Sequence, residues 1–138
     1  MTERIQVDQF LGHPPRKVWR VLTEPELLAR WFMPNDIKPV VGHRFHLVAE
    51  PKPSVGFGGG PVACEVLEVE PERLLRFSWG ERWTVTWRLE PEGTGTRLLL
   101  THDGFGPDEL RIRTIMAGGW RSGVLRRLVQ ALERSSDD

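Results

Sequence analysis

The chain of 138 residues contains no tyrosine and a single cysteine, Cys64. One thiol excludes an internal disulfide and fits a reducing compartment. The 19 basic and 19 acidic side chains cancel, and the pI lies near 6.9. That balance leaves no electrostatic footprint for nucleic acid or an anionic membrane surface. No apolar run approaches the ~18 residues of a membrane span. Met1-Thr2-Glu3-Arg4 leads straight into an alternating segment rather than a signal peptide. These absences point to a cytoplasmic protein, monomer or homodimer, with neither a nucleic-acid nor a membrane partner. By length, residues 1–138 form one domain that buries roughly two-thirds of its unfolded surface. Six Trp and six Phe supply large apolar surface with few hydroxyl groups, suited to a core or to an apolar pocket.

The segment from Asp108 to Ser135 is free of proline and long enough for a seven-turn helix. Ile112, Met116, Trp120, Val124, Leu128 and Leu132 recur at i+4, and Ile115, Leu125 and Val129 widen the stripe. Arg113, Arg121, Arg127 and Gln130 are expected on the opposite side. Gly118, Gly119 and Gly123 fall inside this pattern, each costing about 1 kcal/mol relative to Ala. Taken alone, the glycines favour close packing of the helix on a sheet over open space beside it, but with the rest of the chain a cavity is expected to border one or more of them, Gly119 first.

Upstream, Arg4 to Leu11 alternates as a strand. His13-Pro14-Pro15 then opens a short helix with Val18, Trp19, Val21 and Leu22 on its apolar side. Thr23-Glu24-Pro25-Glu26 reads as a capping box for a second short helix that carries Leu27, Leu28, Trp31 and Phe32. From Val41 the period becomes two. Strands are predicted around Phe45 and Leu47, over Val62 to Val69, over Leu74 to Trp79, from Trp83 to Leu89 and from Thr96 to His102. Pro51 to Pro61 is a loop around Val55 and Phe57, long enough to act as a binding loop. Asp103-Gly104-Phe105-Gly106-Pro107 breaks to the long helix. Strands in succession followed by a helix define an α+β fold: a curved antiparallel sheet of about six strands wrapped around a long C-terminal helix.

Catalytic and metal motifs are sparse. His43 and His46 point to opposite faces of a strand and cannot share an ion, and no Cys or His pair has zinc spacing. Ser54, Ser78 and Ser122 lack a nucleophile-elbow context, and Gly56-Phe57-Gly58-Gly59-Gly60 lacks the Lys-Ser/Thr of a phosphate loop. Two polar residues stand out. His102 shares strand parity with Leu98 and Leu100, which places an imidazole inside. Glu65 shares parity with Ala63, Leu67 and Val69, which places a carboxylate on a mostly apolar face. Each then needs a partner or a wet cavity, the bland alternatives being a turn-ordering hydrogen bond for His102 and an arginine ion pair for Glu65.

Several strings carry a family resemblance: Val18-Trp19, Leu22-Thr23-Glu24-Pro25-Glu26-Leu27 with Trp31-Phe32, and Glu65 to Leu74 with Trp79. Thr84 to Leu89, Thr101-His102-Asp103-Gly104-Phe105 and Gly118-Gly119-Trp120 complete the set. Together they resemble the START-like, helix-grip proteins, in particular the bacterial group related to the activator of the heat-shock protein 90 ATPase. The resemblance implies an internal cavity between sheet and long helix that binds a hydrophobic or aromatic small molecule, with no cofactor. Trp31, Phe32, Phe45, Glu65 and Trp79 are expected to line it from the sheet and short helices. Trp87, His102, Met116, Gly119 and Trp120 are expected to complete it. The group shares no catalytic set that carries over residue by residue, so no catalytic or metal-binding residue is assigned. A cyclase-, dehydratase- or hydrolase-type enzyme using His102 or Glu65 as general acid/base is the alternative. A chaperone-interacting protein is a third reading. The eukaryotic activator has an additional N-terminal chaperone-binding domain, whereas this chain opens on its first strand, which sets ligand binding ahead of that role.

Overall fold

Side chains that alternate between two faces assemble into one antiparallel sheet, and the inward set of that sheet is the core. The structure is a computed structural model and describes residues 3–53 and 57–135. Ser54, Val55 and Gly56 of the proline–glycine loop, and the tail beyond Ser135, lie outside them. Strand β1 (Glu3–Leu11) is followed by helices α1 (Pro15–Thr23) and α2 (Pro25–Trp31). Strands β2 (Arg44–Ala49), β3 (Gly60–Glu70), β4 (Leu74–Trp79), β5 (Trp83–Glu92) and β6 (Gly95–Phe105) then form a meander. The sheet order is β1-β6-β5-β4-β3-β2, so β1 returns beside the last strand and β1 and β2 form the edges. Leu75, Phe77, Val85, Trp87, Leu98 and Leu100 are all buried on the inner face. The β5–β6 connection is the two-residue turn Gly93-Thr94, with φ of 61° at Gly93 as a primed hairpin turn requires.

Two bulges bend the sheet and depart from simple alternation. In β3, Val66 pairs with Phe77 but Glu68 pairs with Arg76, so one residue is inserted. Cys64 and Val66 face inward, Leu67 and Glu68 are both exposed, and Val69 pairs with the buried Leu75. In β6 the strand does not stop at His102. It continues through Asp103-Gly104 to Phe105, and a register shift opposite, between Glu3 and Ile5, lets His102 and Phe105 both point inward at 0% exposure. Gly104 makes this possible. Its φ is 104°, and a Cβ there would collide with the carbonyl oxygen of Arg82.

The two short helices meet at Glu24, and the indole N–H of Trp31 donates to the carbonyl of Val21 at 3.1 Å, fixing their angle. The expected capping box is absent. Thr23 is the last residue of α1, and its hydroxyl donates back to Trp19 O at 2.7 Å. Pro25 in the first turn supplies the helix start instead.

The long helix is not uniform. It runs as α3 (Leu110–Gly119), one π turn (Trp120–Val124) and α4 (Leu125–Arg134), with the Leu125 N–H bonded to Trp120 O. A π turn holds an extra residue, so it rotates the face downstream of it relative to a regular helix. The buried positions run Ala117 and Trp120, then Leu125, Leu128, Ala131 and Leu132. A simple i+4 stripe through Val124 misses this rotation. It also places Arg127 on the far side, whereas Arg127 turns toward α2 and donates to Trp31 O. The α4 segment packs on α2 and α1, while α3 leans on β1.

Gly104→Ala is expected to lower the unfolding free energy by roughly 2–4 kcal/mol, through a strained φ and a backbone clash. Urea denaturation measures it; a loss of less than about 0.5 kcal/mol, the range of an ordinary surface substitution, would contradict the bulge as described.

Candidate functional site

Between the sheet, the end of α2 and the helix α3 with its π turn lies a cavity of about 720 Å³. Sheet twist and the bulges curve the β4–β5 hairpin over it. Trp79 and Trp83, cross-strand partners at that hairpin, stand edge to face with centroids 5.6 Å apart. Phe32, just past the end of α2, stacks on Trp120 at 5.4 Å and meets Trp79 edge-on at 5.8 Å. The helix contributes Ile112, Ile115, Met116, Gly119 and Val124, and the loop side contributes Phe57 and Val62.

Gly118 and Gly119 are not sites of close packing. A Cβ at either position would meet nothing within 4 Å, and at Gly123 it would touch only the Arg127 guanidinium at 3.4 Å. Close packing, which the glycines favour when taken alone, does not occur at Gly119, the position at which a bordering cavity is expected. At Gly119 the helix borders the cavity, whereas Gly118 is solvent-exposed and lies off the cavity wall.

Behind the lining, the Trp120 indole donates its N–H to Nδ1 of His102 at 3.0 Å. The imidazole is fully buried among rings, stacked on Trp79 at 5.4 Å and close to Trp83 and Phe105. Burial without a compensating charge pulls its pKa from 6.5 down to about 4. Because Nδ1 accepts, the neutral ring carries its proton on Nε2, which has no hydrogen-bond partner among the described residues. Cys64 is likewise buried, and desolvation pushes its thiol up to about 12, far from a reactive thiolate.

Charged groups gather at the rim. Glu109 Oε2 accepts from Arg82 at 2.7 Å and its Oε1 accepts the Gly106 N–H at 2.8 Å, joining the β4–β5 hairpin to the start of α3. Arg127 donates from Nε to Trp31 O at 3.1 Å.

Of the residues expected to form the site, Trp31, Phe32, Trp79, Met116, Gly119 and Trp120 lie on the cavity wall. Four do not. Phe45 packs edge-on to Phe77 at 5.5 Å in the core, and Trp87 backs Trp120 and Trp31 from behind. His102 is sealed beneath Trp120 rather than bonded within the Asp103-Gly104 turn. Glu65 lies on the outer face, 3.7 Å from Arg44, because the β3 bulge breaks the parity that joined it to Val69. The general acid/base pair thus sits on opposite sides of the sheet and shares no cavity. Sequence reading also passed over Trp83, Ile112, Arg82, Glu109 and Arg127. For Trp83 a signal was present, since it faces the same way as Val85 and Trp87 directly across the hairpin from Trp79. Among the described residues, no three His, Cys, Asp or Glu side chains are grouped to hold a metal ion. No helix among them is long and apolar enough to cross a membrane.

A curved six-stranded antiparallel sheet, two short helices after the first strand and a long C-terminal helix define an α+β, helix-grip, START-like protein. Residues 12–133 match the family described as Activator of Hsp90 ATPase homolog 1-like protein, and the chain belongs to that family. Among solved structures it is similar to protein MLL2253 from Mesorhizobium loti, with 38% identity, 97% of this chain and 99% of that one covered, and a TM-score of 0.86. Protein BH1534 from Bacillus halodurans shows 32% identity over 96% of this chain and 99% of that one, with a TM-score of 0.80. CalU16 from Micromonospora echinospora shows 25% identity over 96% and 78%, with a TM-score of 0.76. No curated protein matches the chain.

Two outcomes follow from this geometry. With a folded pKa below the unfolded one, His102 favours folding above pH 6.5, and that contribution is lost as pH falls toward about 4. Between pH 7 and pH 4 the wild type should lose about 3 kcal/mol more stability than His102→Gln. Equal losses in urea titrations at the two pH values would show that His102 is not held neutral by burial. Gly119→Ala should melt at or above the wild-type temperature, since it gains up to about 1 kcal/mol of helix propensity and meets open space. A lower melting temperature would mean that the helix sits closer to the sheet than described.

Proposed function

We propose that the chain acts as a single START-like domain that binds a hydrophobic or aromatic small molecule in the cavity between sheet and long helix. The observation that carries this reading is the open space beside Gly119 on the cavity wall. A mid-helix glycine there forgoes roughly 1 kcal/mol of helix stability without gaining packing, and the space beside it is walled by indole, phenyl and aliphatic groups. Apolar walls of this kind favour burial of apolar ligand surface at roughly 25 cal/mol per Å² before the costs of association. START-like proteins commonly bind small hydrophobic ligands, which supports the same reading. The Hsp90 wording of the family description brings no residue of this chain with it, so the proposal rests on the cavity. A lone, buried Cys64 with a raised pKa fits a reducing, cytoplasmic setting.

Titration of tryptophan fluorescence with fatty acids, sterols and polyaromatic compounds tests the reading. At least one class should give a saturable change in the wild type. Gly119→Leu, which fills the cavity from the helix side, should bind it about tenfold more weakly or worse without a lower melting temperature. Equal affinity in Gly119→Leu, or no saturable change with any class, would overturn the proposal.

A further inference from the structure

Charges of both signs line the cavity, the cations being Arg30, Lys52, Arg82 and Arg127. Its carboxylates, Glu50, Glu81 and Glu109, belong to the loop after β2, the β4–β5 hairpin and the approach to α3. Both oxygens of Glu109 are already engaged, by Arg82 and by the Gly106 N–H. Where the end of α2 packs on α4 the wall carries Arg30 and Arg127, and Glu50 follows the end of β2, which pairs with the segment after α2. Arg127 is held in place there. Its Nε donates to Trp31 O at 3.1 Å, and its guanidinium lies along Gly123, where a Cβ would stand 3.4 Å from Nη1 and 4.0 Å from Nη2. The terminal nitrogens make no hydrogen bond or ion pair with any described residue. A guanidinium oriented by one of its own N–H groups, with the others unspent at the edge of an apolar cavity, suits a carboxylate.

We propose that the ligand is an amphipathic carboxylate: an aromatic or polycyclic body inside the cavity, with its carboxylate received by Arg127 on the α2–α4 flank. This rests on the reading of the cavity as a ligand site and adds the chemical class of the ligand. Arg82, committed to Glu109, serves as a rim clamp instead. Salt weakens the preference for an anion, since the guanidinium is exposed to solvent.

The probes are 1-pyrenebutyrate and 1-pyrenebutanol, which share a body and differ in the terminal group, followed by energy transfer from tryptophan at neutral pH. Wild type should bind the butyrate about tenfold more tightly than the butanol, the scale of one charge-assisted hydrogen bond. In Arg127→Gln the ratio of butyrate to butanol affinity should fall to about one. Arg127→Met, which keeps the apolar stem, provides a second variant if the first fails to fold. Butanol binding with no butyrate preference in wild type, or a preference that survives both substitutions, would overturn the proposal and leave the cavity reading standing. If neither probe binds wild type, the polycyclic-carboxylate proposal fails, and the cavity reading fails with it only where fatty acids and sterols also give no saturable change.

Discussion

A buried hydrogen bond between Trp120 and His102 joins the middle of the long helix to the last strand. It requires a neutral imidazole, which burial among four aromatic rings provides. It also requires the indole to reach inward, and Trp120 is buried at the start of the π turn. With that point fixed, α4 packs on the short helices while α3 reaches the sheet mainly at its β1 edge. The space between α3 and the β4–β5 hairpin remains open. The cavity is therefore a consequence of where the helix is pinned.

Much of this was legible in the residues. Period-two alternation found the inner faces of β2, β4, β5 and β6, and helical spacing found α1, α2 and the long helix. What escaped it has one physical origin. Parity and the i+4 rule both assume an uninterrupted lattice, and this chain inserts a single residue in three places. The extra residue in β3 moved Val69 to the inner face and left Glu65 outside. The irregularity near Gly104 extended β6 beyond His102. The π turn rotated Arg127 toward the cavity rim. None of these insertions changes composition or hydropathy enough to be read from one sequence. Gly104, whose φ of 104° excludes a side chain, is the nearest to a visible mark.

The glycines of the helix show the same limit from another side. Sequence alone makes them ambiguous between contact and void, because a missing Cβ serves both. Space around the missing atom, together with its place on the cavity wall, separates the two readings: Gly95 and Gly104 are crowded by neighbouring backbone, whereas Gly119 faces nothing within 4 Å. The family assignment supports the architecture in which such a void occurs, while the chemistry of the void comes from this chain's own rings and rim charges.

The central claim is that the void is a ligand site with tryptophan walls. It can be tested on the six indole N–H signals of a ¹⁵N-labelled sample, assigned by single Trp→Phe substitutions. Addition of 1-pyrenebutanol should shift the signals of Trp79, Trp83 and Trp120 along one saturable curve, leaving Trp19, which lies off the cavity wall on α1, in place. Shifts that never saturate, or that centre on Trp19 while Trp79, Trp83 and Trp120 stay fixed, would contradict the account.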